Sequence, residues 1–241
     1  RQKKTGIKPG GKPVKVRGEL IEGYAAEEIL RYADENDVDL IIMATHGRSG
    51  LKRWGVGNVA DKILRASEVP VWLARVGDPD EIPYDQWPKR TILAPLDGSE
   101  LAELVLPHVK ELAKQRRTEP LDVVLLRVCE PPSIPSYSTP ELPDVPLNWG
   151  EYIQQETARC KQTAKEYLAE IKKQFNDTGI SIRSEVLVGK AADEIVDYAK
   201  KNPFNVIVMA THGRSGLSRW VYGSVTENVL LGVSSPALLV R

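Results

Sequence analysis

The chain has 241 residues, 41% hydrophobic and 27% charged, a composition that suits a globular protein of one large or two small domains. Lys plus Arg and Asp plus Glu balance at 33 each, which argues against a basic face for duplex nucleic acid. No apolar run approaches the ~18 residues of a membrane span, so no membrane partner is expected.

No signal-peptide pattern opens the chain, and Arg1 in place of an initiator methionine reads as a processed, truncated or cloned start. Cys129 and Cys160 stand far apart without CxxC spacing. They suit a reducing compartment, taken here as the cytoplasm, and predict neither a metal site nor a disulfide framework.

An internal repeat organises the rest. Residues 14–75 align without gaps on 180–241, and about 28 of 62 paired positions are identical. The stretch from Met43 to Leu51 recurs unchanged from Met209 to Leu217. Each copy reads as strand, helix, strand, loop, helix, strand. Residues 1–75 thus form the back half of a first domain, with strands expected at its start, over 38–44 and over 70–75. Residues 76–90 form a linker, and 91–241 a complete second domain.

In that second domain residues 91–97 form an apolar strand ending Pro95-Leu-Asp-Gly-Ser99. Ser99 caps a helix to about residue 115, and 121–128 is a further apolar strand. Residues 130–149, rich in Pro and Ser, form a long loop, and 151–176 an amphipathic helix. Residues 180–188 alternate as a strand. Apolar residues at helical spacing (Ala192, Ile195, Val196, Ala199) predict a helix over 191–201. Residues 206–209 form a short apolar strand of a parallel sheet covered on both faces. A loop follows, then a helix capped by Ser224 with Glu227 completing a capping box, then a last strand over 236–241.

The segment from Ala210 to Ser224 leaves the carboxyl end of a parallel strand and enters a helix N-terminus, where ligands bind in open α/β sheets. Gly213 and Gly216 permit close backbone approach, and helix amides near Gly223 and Ser224 suit a phosphate chain. Arg214 and Arg219 add positive charge. The alternative is a glycine-rich connection with no ligand. Asp97, on the same sheet edge, is placed to accept from ribose hydroxyls or an adenine amine; its alternative is a helix cap.

Gly, two residues, Gly, nine residues, Gly-Ser, on a sheet whose first strand ends Pro-x-Asp-Gly-Ser, resembles the universal stress protein family. The resemblance implies two tandem open-sheet α/β-sandwich, Rossmann-like domains that bind adenine nucleotides, with parallel strand order 3-2-1-4-5. It implies ATP, or ADP or AMP, with magnesium as an accompanying ion. Pro95, Asp97 and Val128 would surround adenine and ribose. Ala210, Gly213, Gly223, Ser224 and Val225 would line ribose and phosphates, with Met209 packed beneath and Arg214 and Gly216 in the loop. The sequence departs from the pattern at Ala210, where the family has glycine, and at Asn58 in the first copy. A methyl at Ala210 is tolerated where φ is negative, and Asn58 keeps a cap.

The first copy lacks partners for Asp97 and Val128, so its site is expected to be defective or absent. Without its front half its apolar strand edges would be bare, and the missing half-domain is expected as a separate piece acting in trans. The strands 70–75 and 236–241, opened by Pro70 and Pro236 and closed by Arg75 and Arg241, are expected to pair as in an internal pseudo-dimer, an edge that also suits a homo-oligomer. Three functions follow: a nucleotide-binding regulatory module of the stress response, a weak ATPase or nucleotidyl-transfer enzyme, or a scaffold that binds no nucleotide. No catalytic residue stands out. His46 and His212 lack a ligand partner at metal spacing and suit a hydrogen bond to loop or nucleotide. Trp54 and Trp220 read as packing anchors rather than base stackers, His108 as a surface or packing residue, and Gly10-Gly-Lys-Pro13 as a turn.

Overall fold

The computed structural model describes residues 15–44, 57–74, 90–114, 121–133, 148–176, 179–202, 204–211 and 223–241. In chain order these form α1 (Ala25–Glu35), β1 (Ile41–Ala44), α2 (Asn58–Ala66), β2 (Val71–Ala74), β3 (Arg90–Pro95), α3 (Glu100–Glu103) and α4 (Val105–Lys114). There follow β4 (Leu121–Cys129), α5 (Trp149–Lys173), β5 (Ser181–Val188), α6 (Ala191–Lys201), β6 (Val206–Ala210), α7 (Ser224–Gly232) and β7 (Ala237–Val240).

The strands form one seven-stranded sheet, β1-β2-β7-β6-β3-β4-β5. From β3 onward the order is β5-β4-β3-β6-β7, which is the expected 3-2-1-4-5, and all four pairings there are parallel. The pairing expected of the two last strands forms, and it joins both copies in this one sheet. β2 joins the edge of β7 antiparallel, with Val71 opposite Leu239, Trp72 opposite Leu238 and Leu73 opposite Ala237. An apolar edge strand is a template for another, and the two copies use each other's. Arg241 extends the seam, its Nη1 donating to the carbonyls of Arg65 and Ser67.

Helices cover both faces of the five strands from β3 on, which is why the central runs are apolar throughout. One core joins α1, α2, α6 and α7 to Leu93, Val124, Leu126 and Ile207; the other joins α3, α4 and α5 to Ile92, Val123, Leu125 and Val208. The start of β6 is fixed to β3 by Asn205, whose Oδ1 accepts from the Thr91 backbone amide at 2.7 Å while its backbone N–H donates to the Thr91 carbonyl. The helix expected from Ser99 is broken at Leu104. Pro107 explains this, since its ring clashes with the carbonyl four residues back, at Glu103, and offers it no N–H.

The first copy differs. The strand expected at its start does not form; residues 15–22 carry no regular structure, and Val16 and Leu20 stand exposed. Its counterpart β5 is held by eight paired positions on β4, and no β4 counterpart exists among the described residues of 15–74. Among the described residues β1 pairs with β2 alone. Ile42 on β1 is 67% exposed, whereas its repeat partner Val208 is 0% exposed beneath α4. Among the described residues the bare apolar edge expected of the truncated copy is therefore present, and one face of β1 is exposed with it.

Candidate functional site

The second copy enters its five strands at β3, in their middle, moves out through β4 and β5, and returns to β6 on the other side of β3. Adjacent connections therefore leave in opposite directions between β3 and β6, the crevice where such sheets bind ligands. A cavity of about 400 Å³ lies there, within the usual range for small-molecule sites. Its apolar lining comes from Leu126, Val128, Ile195, Met209 and Val225, and its polar groups include Asp97, Glu130, Ser224 and Thr226.

Asp97 follows β3 in a tight turn. Its Oδ1 accepts from the Ser99 amide at 2.9 Å and from the Ser99 hydroxyl at 2.6 Å, while Ser99 Oγ caps α3 by accepting from the Ala102 amide at 3.1 Å. Gly98 makes the turn possible. Its φ is 84°, and a Cβ there would lie 2.8 Å from the Arg127 guanidinium. Arg127 in turn sits 4.8 Å over the Tyr167 ring. Burial, then the charge of Glu103, pushes the Tyr167 phenol well above its usual value, so the hydroxyl stays neutral.

The other wall is the start of α7. Ser224 was expected to cap this helix; instead the cap position is Gly223, and Ser224 is the first helical residue. The first copy repeats the correction, with Gly57 in the cap position and Asn58 inside the helix. The reason is local: Gly223 donates its amide to the Thr211 carbonyl at 2.8 Å, and Thr226 Oγ1 donates to the Ala210 carbonyl at 3.0 Å. These bonds fix the first turn of α7 against the end of β6 one residue earlier than the capping box predicts. With glycine at the cap, no side chain among the described residues caps α7, and its first residues line the cavity. α6 is different. Its first amide, from Ala191, donates at 2.8 Å to Glu130 Oε1, a cap supplied from the end of β4.

The structure thus brings together Pro95, Asp97, Val128, Met209, Ala210, Gly223, Ser224 and Val225 around one cavity. Ala210 ends β6 without a left-handed backbone, since Asp37 is the one non-glycine residue of positive φ among those described; this meets the condition for a methyl at that position. Gly213, Arg214 and Gly216 lie outside the described residues, as do His46, His212, Trp54 and Trp220. Sequence reasoning missed Glu130, Thr226 and Cys160. Glu130 was readable as an acid directly after an apolar strand, and Thr226 as a hydroxyl where the first copy has Ala60. Cys160 gave no signal. The expectation of two unconnected cysteines is overturned: Cys129 and Cys160 form a disulfide, with Cα atoms 5.9 Å apart across 31 residues of sequence. α5 lies along β4 and β5, which returns position 160 to the end of β4.

Among the described residues no helix is long and apolar enough to cross a membrane. The chain is similar to a universal stress protein of Methanocaldococcus jannaschii, MJ0577, with 31% identity over 63% of this chain and 94% of that protein. It is also similar to a universal stress protein of Mycobacterium tuberculosis H37Rv, with 24% identity over 86% of this chain and 63% of that protein. The solved structure of MJ0577 superposes with a TM-score of 0.51 at 30% identity, over the same 63% of this chain and 94% of that one. A universal stress protein structure from Archaeoglobus fulgidus gives a TM-score of 0.51 at 19% identity over 90% of this chain and 64% of that one, a likeness of fold. The family model of the universal stress proteins matches residues 2–75 and 89–241, taking in both copies of the repeat, and the chain belongs to the universal stress protein family.

Proposed function

We propose that the chain is an ATP-binding regulatory module of the stress response, with one adenine nucleotide, accompanied by magnesium, in the cavity between β3, β4, β6 and the start of α7. One observation carries this reading: the glycine-capped start of α7 and the Asp97 carboxylate border the same cavity at the sheet's switch point. The leading amides of α7 suit a phosphate chain, which needs no lysine there. Glu130 already neutralises the start of α6, so the anionic end of a ligand is drawn to α7. Asp97 and Glu130 suit the hydroxyl and amine donors of a nucleoside, above the apolar floor of Leu126, Val128 and Met209. Gly213, Arg214 and Gly216 belong to the phosphate side in this reading.

Hydrolysis is slow under this proposal. Among the described residues no histidine lines the cavity, and both carboxylates there already accept from protein donors, so neither is well placed as a general base. The two repeat copies act as a pseudo-dimer about the β2–β7 seam, with nucleotide in the second copy, and the protein works in the cytoplasm. A half-domain supplied in trans, or a second copy of the chain, suits the bare β1 edge.

The test is nucleotide released by heating purified protein, together with a thermal shift on adding Mg-ATP. At a ligand concentration 100-fold above Kd the stabilisation is about 2.7 kcal/mol, or about 5–10 °C for a chain of this size. Asp97→Ala removes an acceptor worth about 1.5–3 kcal/mol to a bound donor, so Mg-ATP affinity falls by about 10- to 100-fold. Because Asp97 also orders Ser99, the ligand-induced increment is the readout rather than Tm itself. No released nucleotide and no shift would sink the reading in favour of a scaffold.

A further inference from the structure

We propose that the Cys129–Cys160 disulfide is a thiol-exchange site reached through the cavity, so that its redox state and the cavity's occupancy control each other. The regulatory part of this inference rests on the nucleotide reading; the exchange site and its effect on α5 do not.

The placement of the two sulfurs is unequal. Cys129 is the last residue of β4, 1% exposed, and lies between Val128 and Glu130, which both line the cavity. Cys160 lies on α5, is half-buried, and itself borders the cavity. An incoming thiolate therefore meets Cys160 and not Cys129. Exchange follows from that access. A thiolate of a dithiol attacks Cys160 Sγ, the S–S bond breaks, and Cys129 departs as a thiolate that takes up a proton. The second thiol of the dithiol then attacks the mixed disulfide and releases Cys160. The dithiol is oxidised to its own disulfide, and two electrons and two protons pass to the protein as two thiols.

α5 gives the reaction a consequence. Its buried residues are Ala164, Leu168 and Ile171, all in its C-terminal half. Residues 149–163 contribute none; Ile153, Glu156, Thr157 and Cys160 rest half-buried on the body along one face. At the start of the helix, the cap from Asn148 to the Glu151 amide is long, at 3.4 Å, and exposed. Trp149 and Tyr152 stack edge to face on each other and stand exposed. The disulfide is thus the covalent anchor of the N-terminal half of α5, and cutting it lets that half lift from the end of β4. Cys160 leaves the cavity wall, while Val128 and Glu130 lose the tie that holds their strand end to the helix. A ligand that fills the cavity covers Cys160 and opposes reduction. Reduction, by removing wall, weakens the ligand by the same coupling free energy.

Three measurements on the full chain decide the matter. In the first, oxidised glutathione is added to fully reduced protein and the adduct is mapped; the mixed disulfide is expected at Cys160. In the second, amide hydrogen exchange is followed before and after dithiothreitol. Residues 149–162 are expected to exchange at least ~10-fold faster when reduced while 164–175 keep their protection, and Cys160→Ser is expected to show the same without reductant. In the third, the rate of reduction by dithiothreitol is expected to fall ~10-fold in saturating Mg-ATP, with a matching loss of Mg-ATP affinity in the reduced protein. An adduct at Cys129, or unchanged exchange over 149–162 on reduction, overturns the exchange site. Equal reduction rates with and without a nucleotide shown to bind overturn the coupling. Absence of any Mg-ATP thermal shift overturns the nucleotide reading instead, and the first two measurements still decide the site.

Discussion

Gly98→Ala tests whether the turn that presents Asp97 is built as described. At φ 84° an L side chain costs about 1–2 kcal/mol of backbone strain. The added Cβ would lie 2.8–2.9 Å from the Arg127 guanidinium, the far end of a flexible side chain, so Arg127 moves rather than the backbone. Moving it removes the contact over the Tyr167 ring, worth about 0.5–1 kcal/mol. The total is about 2 kcal/mol, which lowers Tm by about 4–8 °C for a chain of this size. Calorimetry of the ligand-free protein reads it. Arg127→Ala separates the two parts: in that background Gly98→Ala costs strain alone, so the double variant is less destabilised than the sum of the singles by about 0.5–1 kcal/mol. A Tm within about 1 °C of wild type refutes the left-handed turn. Strict additivity of the two substitutions refutes the contact between Gly98 and Arg127.

The bare face of β1 gives a paired prediction. Val208→Lys buries an unpaired charge beneath α4 and costs more than about 4 kcal/mol, while Ile42→Lys at the equivalent position stays within about 0.5 kcal/mol. A large loss of Tm in Ile42→Lys would mean that this face is covered in solution. His108 gives a pH dependence. Burial lowers its pKa in the folded protein, so the unfolded chain takes up the proton first. Stability is therefore lost as pH falls from the unfolded value near 6.5 toward the lower folded value, and levels off below it. His108→Gln should flatten that stretch of a Tm-against-pH curve; an unchanged slope refutes it.

How far the sequence could be read depended on whether a residue's partner was local. The helix expected over 191–201 forms as Ala191–Lys201, because its amphipathic spacing and its core face lie within the segment itself. The strand expected over 180–188 forms, and its counterpart at the start of the first copy does not, although seven of the ten positions through Ala25 and Ala191 differ little in apolar character or are identical. Local pattern is shared; what differs is a neighbour such as β4, about 60 residues away for β5, that supplies the backbone partners. Asp97 was legible because an acid just past an apolar strand stands at the ligand edge of such a sheet. Glu130, hidden at the head of a Pro-rich stretch, was assigned to a loop although it caps α6. The break at Leu104 was legible in Pro107 and was missed. The disulfide was not legible, since nothing in a separation of 31 residues says that α5 returns Cys160 to the end of β4.

The seam and the cavity together explain why two similar copies give one site among the described residues. Exchange of the copies maps Trp72 onto Leu238, Val71 onto Ala237 and Leu73 onto Leu239. In the seam Trp72 faces Leu238, while Val71 faces Leu239 and Leu73 faces Ala237, so the register is unchanged by that exchange. A self-complementary contact of this kind is the geometry of a twofold interface. It needs the last strand of each copy and nothing from β3, β4 or β5, so the first copy supplies its half in full with β1, β2, α1 and α2. The cavity has the opposite requirement. Pro95, Asp97, Val128 and Glu130 reach it from the ends of β3 and β4, and the first copy contains no counterpart to either strand among the described residues of 15–74. Its α2 does repeat the glycine cap of α7, at Gly57, so half of a site survives without the wall that would close it. The helix start alone therefore does not make the site; the strands that oppose it do.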